Sequence, residues 1–128
     1  LELCRILMAG EAVAVQGDRV VTGVSPVEME HEGVTFKIPR GPLVLGEIVR
    51  VPCYPIFLLR QSTLKYKIVC GPCFYDGKSK VRADDLGRDV WLPILHQFVR
   101  ENWSQWFVFE ELVEKKAAAA QDETEAAR

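Results

Sequence analysis

The stretch VTFKIPRGPLVLGEIVRVPCYPIFLLR, from Val34 to Arg60, decides how this chain is expected to fold. Its first residues, Thr35–Ile38, alternate between polar and apolar side chains as a short strand does. A turn-forming run, Pro-Arg-Gly-Pro, then ends the strand. Pro42 suits the first turn of a helix, where its missing N–H costs nothing. We therefore expect a helix over Leu43–Val49 that stops before the next proline, because the residue preceding a proline disfavours helical geometry.

A nearly unbroken apolar run, Tyr54–Leu59, follows that helix. Charged residues, Arg50 and Arg60, stand only outside the run. Such a run is typical of a strand that is covered on both faces in an α/β sheet. The sequence therefore predicts an α/β fold, with a mixed, mostly parallel sheet flanked by helices.

The remaining sequence predicts the other elements of this fold. Apolar spacing indicates a helix over Leu1–Ala9 and a short buried strand over Ala12–Val15. Alternation predicts a half-exposed strand over Thr63–Val69, antiparallel to Tyr54–Leu59 across a turn at Arg60–Ser62.

Two polar segments separate these elements from a C-terminal helix. Val20 to Gly33 reads as a loop with a strand fragment, and Lys78–Arg88 as a loop. A helix is expected over about Asp89–Glu101, with Asp89 as its N-cap. The aromatic residues after it are expected to pack back on the sheet. These elements fall in one domain over residues 1–116, and the alanine-rich residues 117–128 are expected to be frayed or disordered.

The composition of the chain argues against some classes of function. At 128 residues the chain is one domain or part of one, and 48% hydrophobic content is enough for a core. A net charge of -2 gives no reason to expect a nucleic-acid partner. Its apolar runs are shorter than the roughly 20 residues that cross a bilayer, and no signal peptide is visible. Because the sequence lacks an initiator methionine, we expect it to be a segment of a longer protein.

Two polar motifs are candidate binding residues. Arg40 and Gly41 precede a helix N-terminus, where backbone N–H groups, the helix dipole and the guanidinium favour a phosphate. Asp18 and Arg19 follow the predicted strand Ala12–Val15, at the edge where open α/β sheets place their ligands. The alternative for Asp18 and Arg19 is a solvated turn with a surface ion pair.

Two other motifs match catalytic patterns in form. His96 and Glu101 satisfy H-x4-E, but five residues along a helix rotate by about 140°, so the side chains face different directions. Cys70-Gly71-Pro72-Cys73 matches the dithiol motif of thioredoxins, but a turn follows it where that motif needs a helix to activate the thiol. A partly exposed histidine and a turn with two reduced cysteines are the preferred interpretations.

A metal site would need residues far apart in the sequence to converge. A closed zinc set would have to combine Cys70 and Cys73 with Cys53, Cys4 or His31. We therefore expect neither a metal nor a cofactor.

The order of the motifs resembles a known superfamily. Residues 8–20, MAGEAVAVQGDRV, followed by residues 36–60, FKIPRGPLVLGEIVRVPCYPIFLLR, resemble the second to fourth sequence blocks of the lysophospholipid acyltransferases. The bacterial branch with the late acyltransferases of lipid A is most similar. Its three blocks are an x-x-D-R element, an F-x-x-P-x-G-P loop and a g-x-P-v-x-P-v-f strand, and the branch also has an aromatic C-terminus. The matching residues here are Gln16–Arg19, Phe36–Pro42, Val51–Phe57, and Asn102 with Trp103, Trp106 and Phe107.

This resemblance implies acyl transfer from acyl-carrier protein or acyl-CoA to a hydroxyl of a lipid or glycolipid at a membrane surface. The chain would be the C-terminal part of the catalytic domain, peripheral on the cytoplasmic face of the inner membrane or cytoplasmic. The catalytic H-x4-D/E motif of the family, with its histidine as general base, would lie upstream, so no catalytic residue is expected in this chain.

The resemblance also assigns roles to the two polar motifs. Asp18 and Arg19 would shape the substrate site, and Arg40 with Gly41 would hold a phosphate or the developing oxyanion. Relatives that use glycerol phosphate carry an E-G-T-R pattern here, whereas Pro42 follows Gly41 in this chain, which argues against that acceptor. The alternative function is a non-catalytic α/β module that binds an anion or another protein.

Overall fold

A computed structural model describes residues 2–21, 23 and 26–106, together with the backbone of residues 113–115. The helices are α1 (Glu2–Met8), α2 (Gly41–Val49), α3 (Ala83–Leu86) and α4 (Leu92–Glu101); a π-helical turn, Gly87–Trp91, joins α3 to α4, and a 3-10 turn covers Trp103–Gln105. The strands are β1 (Pro26–His31), β2 (Val34–Pro39), β3 (Ile56–Ser62), β4 (Lys65–Cys70) and β5 (Val113–Lys115).

The predicted mixed, mostly parallel sheet is wrong. The described strands form two separate antiparallel sheets, one in the order β1-β2-β5 and the other a β3-β4 hairpin. Ala12–Val15, predicted as a strand, has no regular secondary structure. The fold is therefore a mixed arrangement of helices and antiparallel hairpins.

A two-residue turn, Glu32-Gly33, forms the β1–β2 hairpin. Both residues have positive φ angles, 50° and 75°, which matches the twist that tight hairpins require. The turn sets a register in which Met29 lies opposite Phe36. Because side chains alternate along a strand, the same face of the hairpin carries the buried side chains of Met29, Phe36 and Ile38.

Helix α2 confirms the prediction made from the Pro-Arg-Gly-Pro run. Pro42 lies in its first turn, and the helix ends at Val49. Arg50 then takes a left-handed conformation, φ 56°, and donates its backbone N–H to the carbonyl of Gly46. This is the usual way in which a helix end satisfies a terminal carbonyl.

The predicted hairpin of β3 and β4 is present, with a turn two residues later than expected, at Thr63-Leu64. Its burial differs from the prediction of a strand covered on both faces. Ile56 and Leu58 are each 63% exposed and Ile68 is 65% exposed, whereas Phe57 and Val69 are partly buried. One face of this hairpin is therefore apolar and open to solvent.

The C-terminal helical segment begins earlier than predicted. α3 and the π-helical turn occupy part of the predicted loop Lys78–Arg88, so Asp89 lies inside the helical segment and does not cap it. Arg88 bonds the carboxylates of Asp85 and Asp89 within this segment. The face predicted to be buried was Trp91, Ile94, Leu95 and Phe98; of these only Leu95 is fully buried, and the other three are partly buried. Leu92, which was not predicted, is fully buried as well.

The core lies between the β1–β2 hairpin and the helices α2, α3 and α4. Its buried side chains come from each of these elements and from the loop before α3: Met29, Phe36, Ile38, Leu43, Tyr75, Ala83, Leu86, Leu92 and Leu95. Trp103, expected to pack back on the sheet, is 75% exposed. Phe107, Phe109 and the predicted tail, residues 117–128, lie outside the described residues.

Candidate functional site

A cleft of about 970 Å³ lies beside this core. Its size is at the upper end of the roughly 300–1,000 Å³ typical of small-molecule sites. The cleft is bounded by the segment Gly10–Arg19, by α2, by β3 and by the inner face of α4. Among the described lining residues, charged side chains come only from Glu11, Asp18 and Arg19. Such a lining favours an apolar ligand with one polar end.

Aromatic rings form one wall of the cleft. Phe57 of β3 stacks on Phe98 of α4, with ring centroids 3.7 Å apart and planes 10° apart. Phe74 and Trp91 extend this group, with centroids 5.4 Å apart. Aromatic rings are rigid, so this wall has a defined shape without a bound ligand.

The Trp91 side chain anchors the segment Gly10–Arg19. The indole Nε1–H of Trp91 donates to the carbonyl of Gly17 at 3.1 Å. The approach is close, since a Cβ on Gly17 would lie 3.1 Å from the Trp91 ring, and the ring would have to shift slightly to make room for it. The segment therefore forms a wall of the cleft without belonging to a strand.

Asp18 and Arg19, predicted from the sequence as site residues, both line the cleft. They form an ion pair with each other, with Arg19 Nη2 2.7 Å from Asp18 Oδ2. That hydrogen bond raises the pKa of Arg19. The alternative interpretation predicted a surface ion pair between Asp18 and Arg19. That ion pair is present, but it borders an apolar cleft.

Arg40 and Gly41, also predicted as site residues, do not line the cleft, although their neighbours Pro39 and Pro42 do. The Arg40 guanidinium bonds both carboxylate oxygens of Asp84, at 2.7 and 3.3 Å. At the start of α2, the N–H groups of Leu43 and Val44 donate to the Arg40 carbonyl. Pro42 has no N–H, so this helix start offers an anion fewer donors than the sequence suggested.

Neither of the two motifs that match catalytic patterns, H-x4-E and Cys-Gly-Pro-Cys, has its catalytic arrangement in the structure. His96 points toward Glu32, with Nδ1 3.5 Å from Oε2, whereas Glu101 accepts a hydrogen bond from Gln97. Burial lowers the pKa of His96. Cys70 and Cys73 are free, exposed thiols, and no helix follows Cys73 before Ala83.

One residue of the cleft carries an unused donor. The indole Nε1 of Trp106 is buried and has no hydrogen-bond partner among the described residues. A buried N–H without an acceptor is costly, so a ligand carbonyl in the cleft would offset that cost. Sequence reasoning placed Trp106 in an aromatic end but did not assign it to the site.

Within the described ranges, no helix has both the length and the apolar composition needed to cross a bilayer. No family model matches the chain, and no curated protein or solved structure shows significant similarity to it.

Proposed function

We propose that this chain is the acyl-binding part of an acyltransferase. In this proposal the cleft holds the fatty acyl group of acyl-carrier protein or acyl-CoA, and a lipid or glycolipid hydroxyl receives it. The histidine that would act as general base and its carboxylate partner would come from sequence upstream of Leu1.

The observation that carries this proposal is the convergence of the motifs that resemble the acyltransferase blocks. Members of the three blocks and of the aromatic end line the same cleft, although they are spread over more than 80 positions of the sequence. They are Gln16, Gly17, Asp18, Arg19, Pro39, Pro42, Val51, Pro52, Cys53, Tyr54, Ile56, Phe57, Asn102 and Trp106. Unrelated motifs would not be expected to meet around one ligand-sized space.

The charges of the cleft fit this assignment. An acyl chain needs apolar walls, and the thioester end needs hydrogen-bond donors. Asp18 and Arg19 supply a polar border, and the Trp106 indole supplies a donor. In the proposal Arg40 binds a phosphate. A phosphate that took the place of the Asp84 carboxylate could accept two hydrogen bonds from the planar guanidinium, as Asp84 does now.

A membrane surface is the proposed setting, peripheral and on the cytoplasmic face. The open apolar face of the β3–β4 hairpin supports this proposal, since it exposes Ile56, Leu58 and Ile68. Two lysines, Lys65 and Lys67, lie on β4 of the same hairpin. Because side chains alternate along a strand, Lys67 and Ile68 lie on opposite faces, so the apolar face itself supports the membrane contact.

The test is fatty-acid binding by the chain, followed by acyl transfer by the full gene product. Val15 lines the cleft and is 45% exposed, whereas Val21 is 50% exposed and does not line it. We expect Val15→Arg to weaken binding of a fluorescent fatty-acid analogue at least tenfold, because a charge would be desolvated in the cleft. Val21→Arg is the matched control and should bind as the unmodified chain does.

Acyl transfer from labelled donors into a lipid extract then separates the two functions. Loss of transfer in Val15→Arg and Asp18→Asn proteins, with folding retained, supports the enzyme. Fatty-acid binding without any transfer by the full gene product would favour the non-catalytic module. Equal binding by the two arginine variants would overturn the cleft as the acyl site.

A further inference from the structure

The two histidines of this chain are next to each other in space, although they are 65 positions apart in sequence. His31 ends β1, and His96 lies on α4. Their ring centroids are 5.1 Å apart, and the planes are nearly perpendicular, at 89°. Glu32, the residue after His31, completes a cluster, and none of its three residues lines the cleft.

The donor atoms of this cluster are close enough to share one ion. One nitrogen from each imidazole and one Glu32 carboxylate oxygen all lie within 4.8 Å of one another. His96 Nδ1 and Glu32 Oε2 are 3.5 Å apart. Bonds of about 2.0–2.2 Å in a tetrahedral zinc site place donor atoms roughly 3.4 Å apart. Only small side-chain rotations therefore separate this arrangement from coordination.

Two ligands of the cluster are held in place by the fold. The His96 side chain is 15% exposed, and its ring contacts Phe36 edge-on, with centroids 5.3 Å apart. The backbone of His31 is set by the hairpin register, opposite Val34, and its partly buried ring packs against His96. Glu32 is 56% exposed and has the freedom to adjust. Ligands preset by packing lose less conformational entropy when they bind a metal.

We propose that His31, Glu32 and His96 form a binding site for a divalent transition metal, best matched by zinc. Imidazole nitrogens are borderline ligands that suit zinc better than magnesium or calcium, and two histidines with one glutamate are a set that binds zinc in proteins. A surface pocket of about 570 Å³ opens over the three residues. It gives the ion an entry path and leaves a fourth position for water or a ligand from outside the chain.

Arg100 is the competitor at this site. Its Nη1 lies 3.3 Å from Glu32 Oε2, and the side chain is 68% exposed. A bound dication would displace this guanidinium from Glu32, and the exposed Arg100 side chain could then extend into solvent. The exchange costs little, because an exposed ion pair contributes little to stability.

Zinc at this site would connect the Glu32-Gly33 turn to α4. The inner face of that helix carries Leu95, Phe98 and Val99, which line the cleft. The metal would therefore hold in place a helix that forms a wall of the cleft, which is a role separate from acyl binding.

The test measures zinc binding to the full chain by calorimetry and histidine NMR. Cys70 and Cys73 are replaced by serine in all proteins, because exposed thiols are competing zinc ligands. We expect one zinc per chain, with the ring signals of both histidines shifting together and reaching their end point at one equivalent. The chain has only two histidines, so each signal is assigned by one substitution.

Single substitutions then identify the ligands. His31→Asn, His96→Asn and Glu32→Gln should each lower zinc affinity at least about tenfold, since even indirect partners of a metal contribute that much. Glu28→Gln is the matched control; it makes the same charge change at an exposed position of β1 and should leave affinity unchanged. Zinc that binds without moving both histidine signals, or only in large excess, would overturn the proposal. This readout does not depend on acyl transfer, so the two proposals fail separately.

Discussion

Gly33 and Gly77 share the same unusual backbone conformation but face different surroundings. Their φ angles are +75° and +76°. A Cβ on Gly33 would meet nothing within 4 Å, whereas one on Gly77 would lie 2.4 Å from the carbonyl oxygen of Arg50. Gly77 thus lets its loop pass directly against the residue that ends α2.

Substituting these two glycines separates conformation from packing. Gly33→Ala should lower the free energy of unfolding by only about 1–2 kcal/mol, the cost of a left-handed alanine. Gly77→Ala should cost clearly more, because backbone atoms would also have to move. Urea unfolding of both variants measures the difference. Equal losses would mean that the Gly77 loop shifts freely.

The β3–β4 hairpin shows at the scale of an element what apolar composition can and cannot predict. The run Tyr54–Leu59 predicted a strand, and the antiparallel partner was also predicted correctly. The run did not reveal that alternate side chains would remain exposed. Local sequence shows that a strand is apolar, but it does not show whether another part of the chain or another molecule covers each face.

Charges on the open face of this hairpin should weaken its proposed membrane contact. Leu58→Glu and Ile68→Glu place carboxylates among the exposed apolar side chains. We expect both variants to sediment less with vesicles of anionic lipid while keeping their folded circular dichroism spectrum. Gln61→Glu adds the same charge at the strand end and serves as the control. Vesicle binding that survives both substitutions would place the membrane contact elsewhere.

Other elements show which sequence signals were read and which were missed. The Pro-Arg-Gly-Pro run predicted α2 because proline and glycine act locally. The Glu32-Gly33 turn was missed because tight hairpins favour Asn-Gly, Asp-Gly or Gly-Gly, whereas glutamate precedes the glycine here. In the polar segment Lys78–Arg88, the i,i+3 spacing of Asp85 and Arg88 was the overlooked sign of a helix.

The candidate site could be predicted only in part, because local sequence does not show which distant residues meet in the fold. Asp18 and Arg19 were identified and line the cleft, while Arg40 was identified and pairs with Asp84 instead. Nothing local in the sequence brings Asp84 to Arg40, since 44 positions separate them. Convergence of His31 with His96 is likewise a product of the tertiary fold.

Ion pairs between distant elements connect the molecule as a whole. Arg40 and Asp84 join α2 to α3, and Arg100 and Glu32 join α4 to the β1–β2 turn. All four side chains are at least 42% exposed, so each pair is screened by solvent and contributes modestly.

The stability of the whole molecule should therefore depend on pH in a defined acid window. The hydrogen bond from Arg40 lowers the pKa of Asp84, so the folded state favours the carboxylate. This contribution is fully present above the ordinary value of about 3.9 and is lost as the pH falls through the lowered pKa. Asp84→Asn and Arg40→Gln should each flatten the acid limb of the stability profile. An unchanged limb in chemical denaturation at each pH would show that solvent screens the pair completely.

The two-residue turn also limits how the length of this chain can change. Met29 lies opposite Phe36 only because the turn fixes their register. Inserting a single residue into β1 or β2 would reverse every side chain beyond it, expelling Phe36 or Met29 from the core. Inserting two residues would restore the alternation. This hairpin should therefore tolerate insertions and deletions in pairs, and reject odd ones.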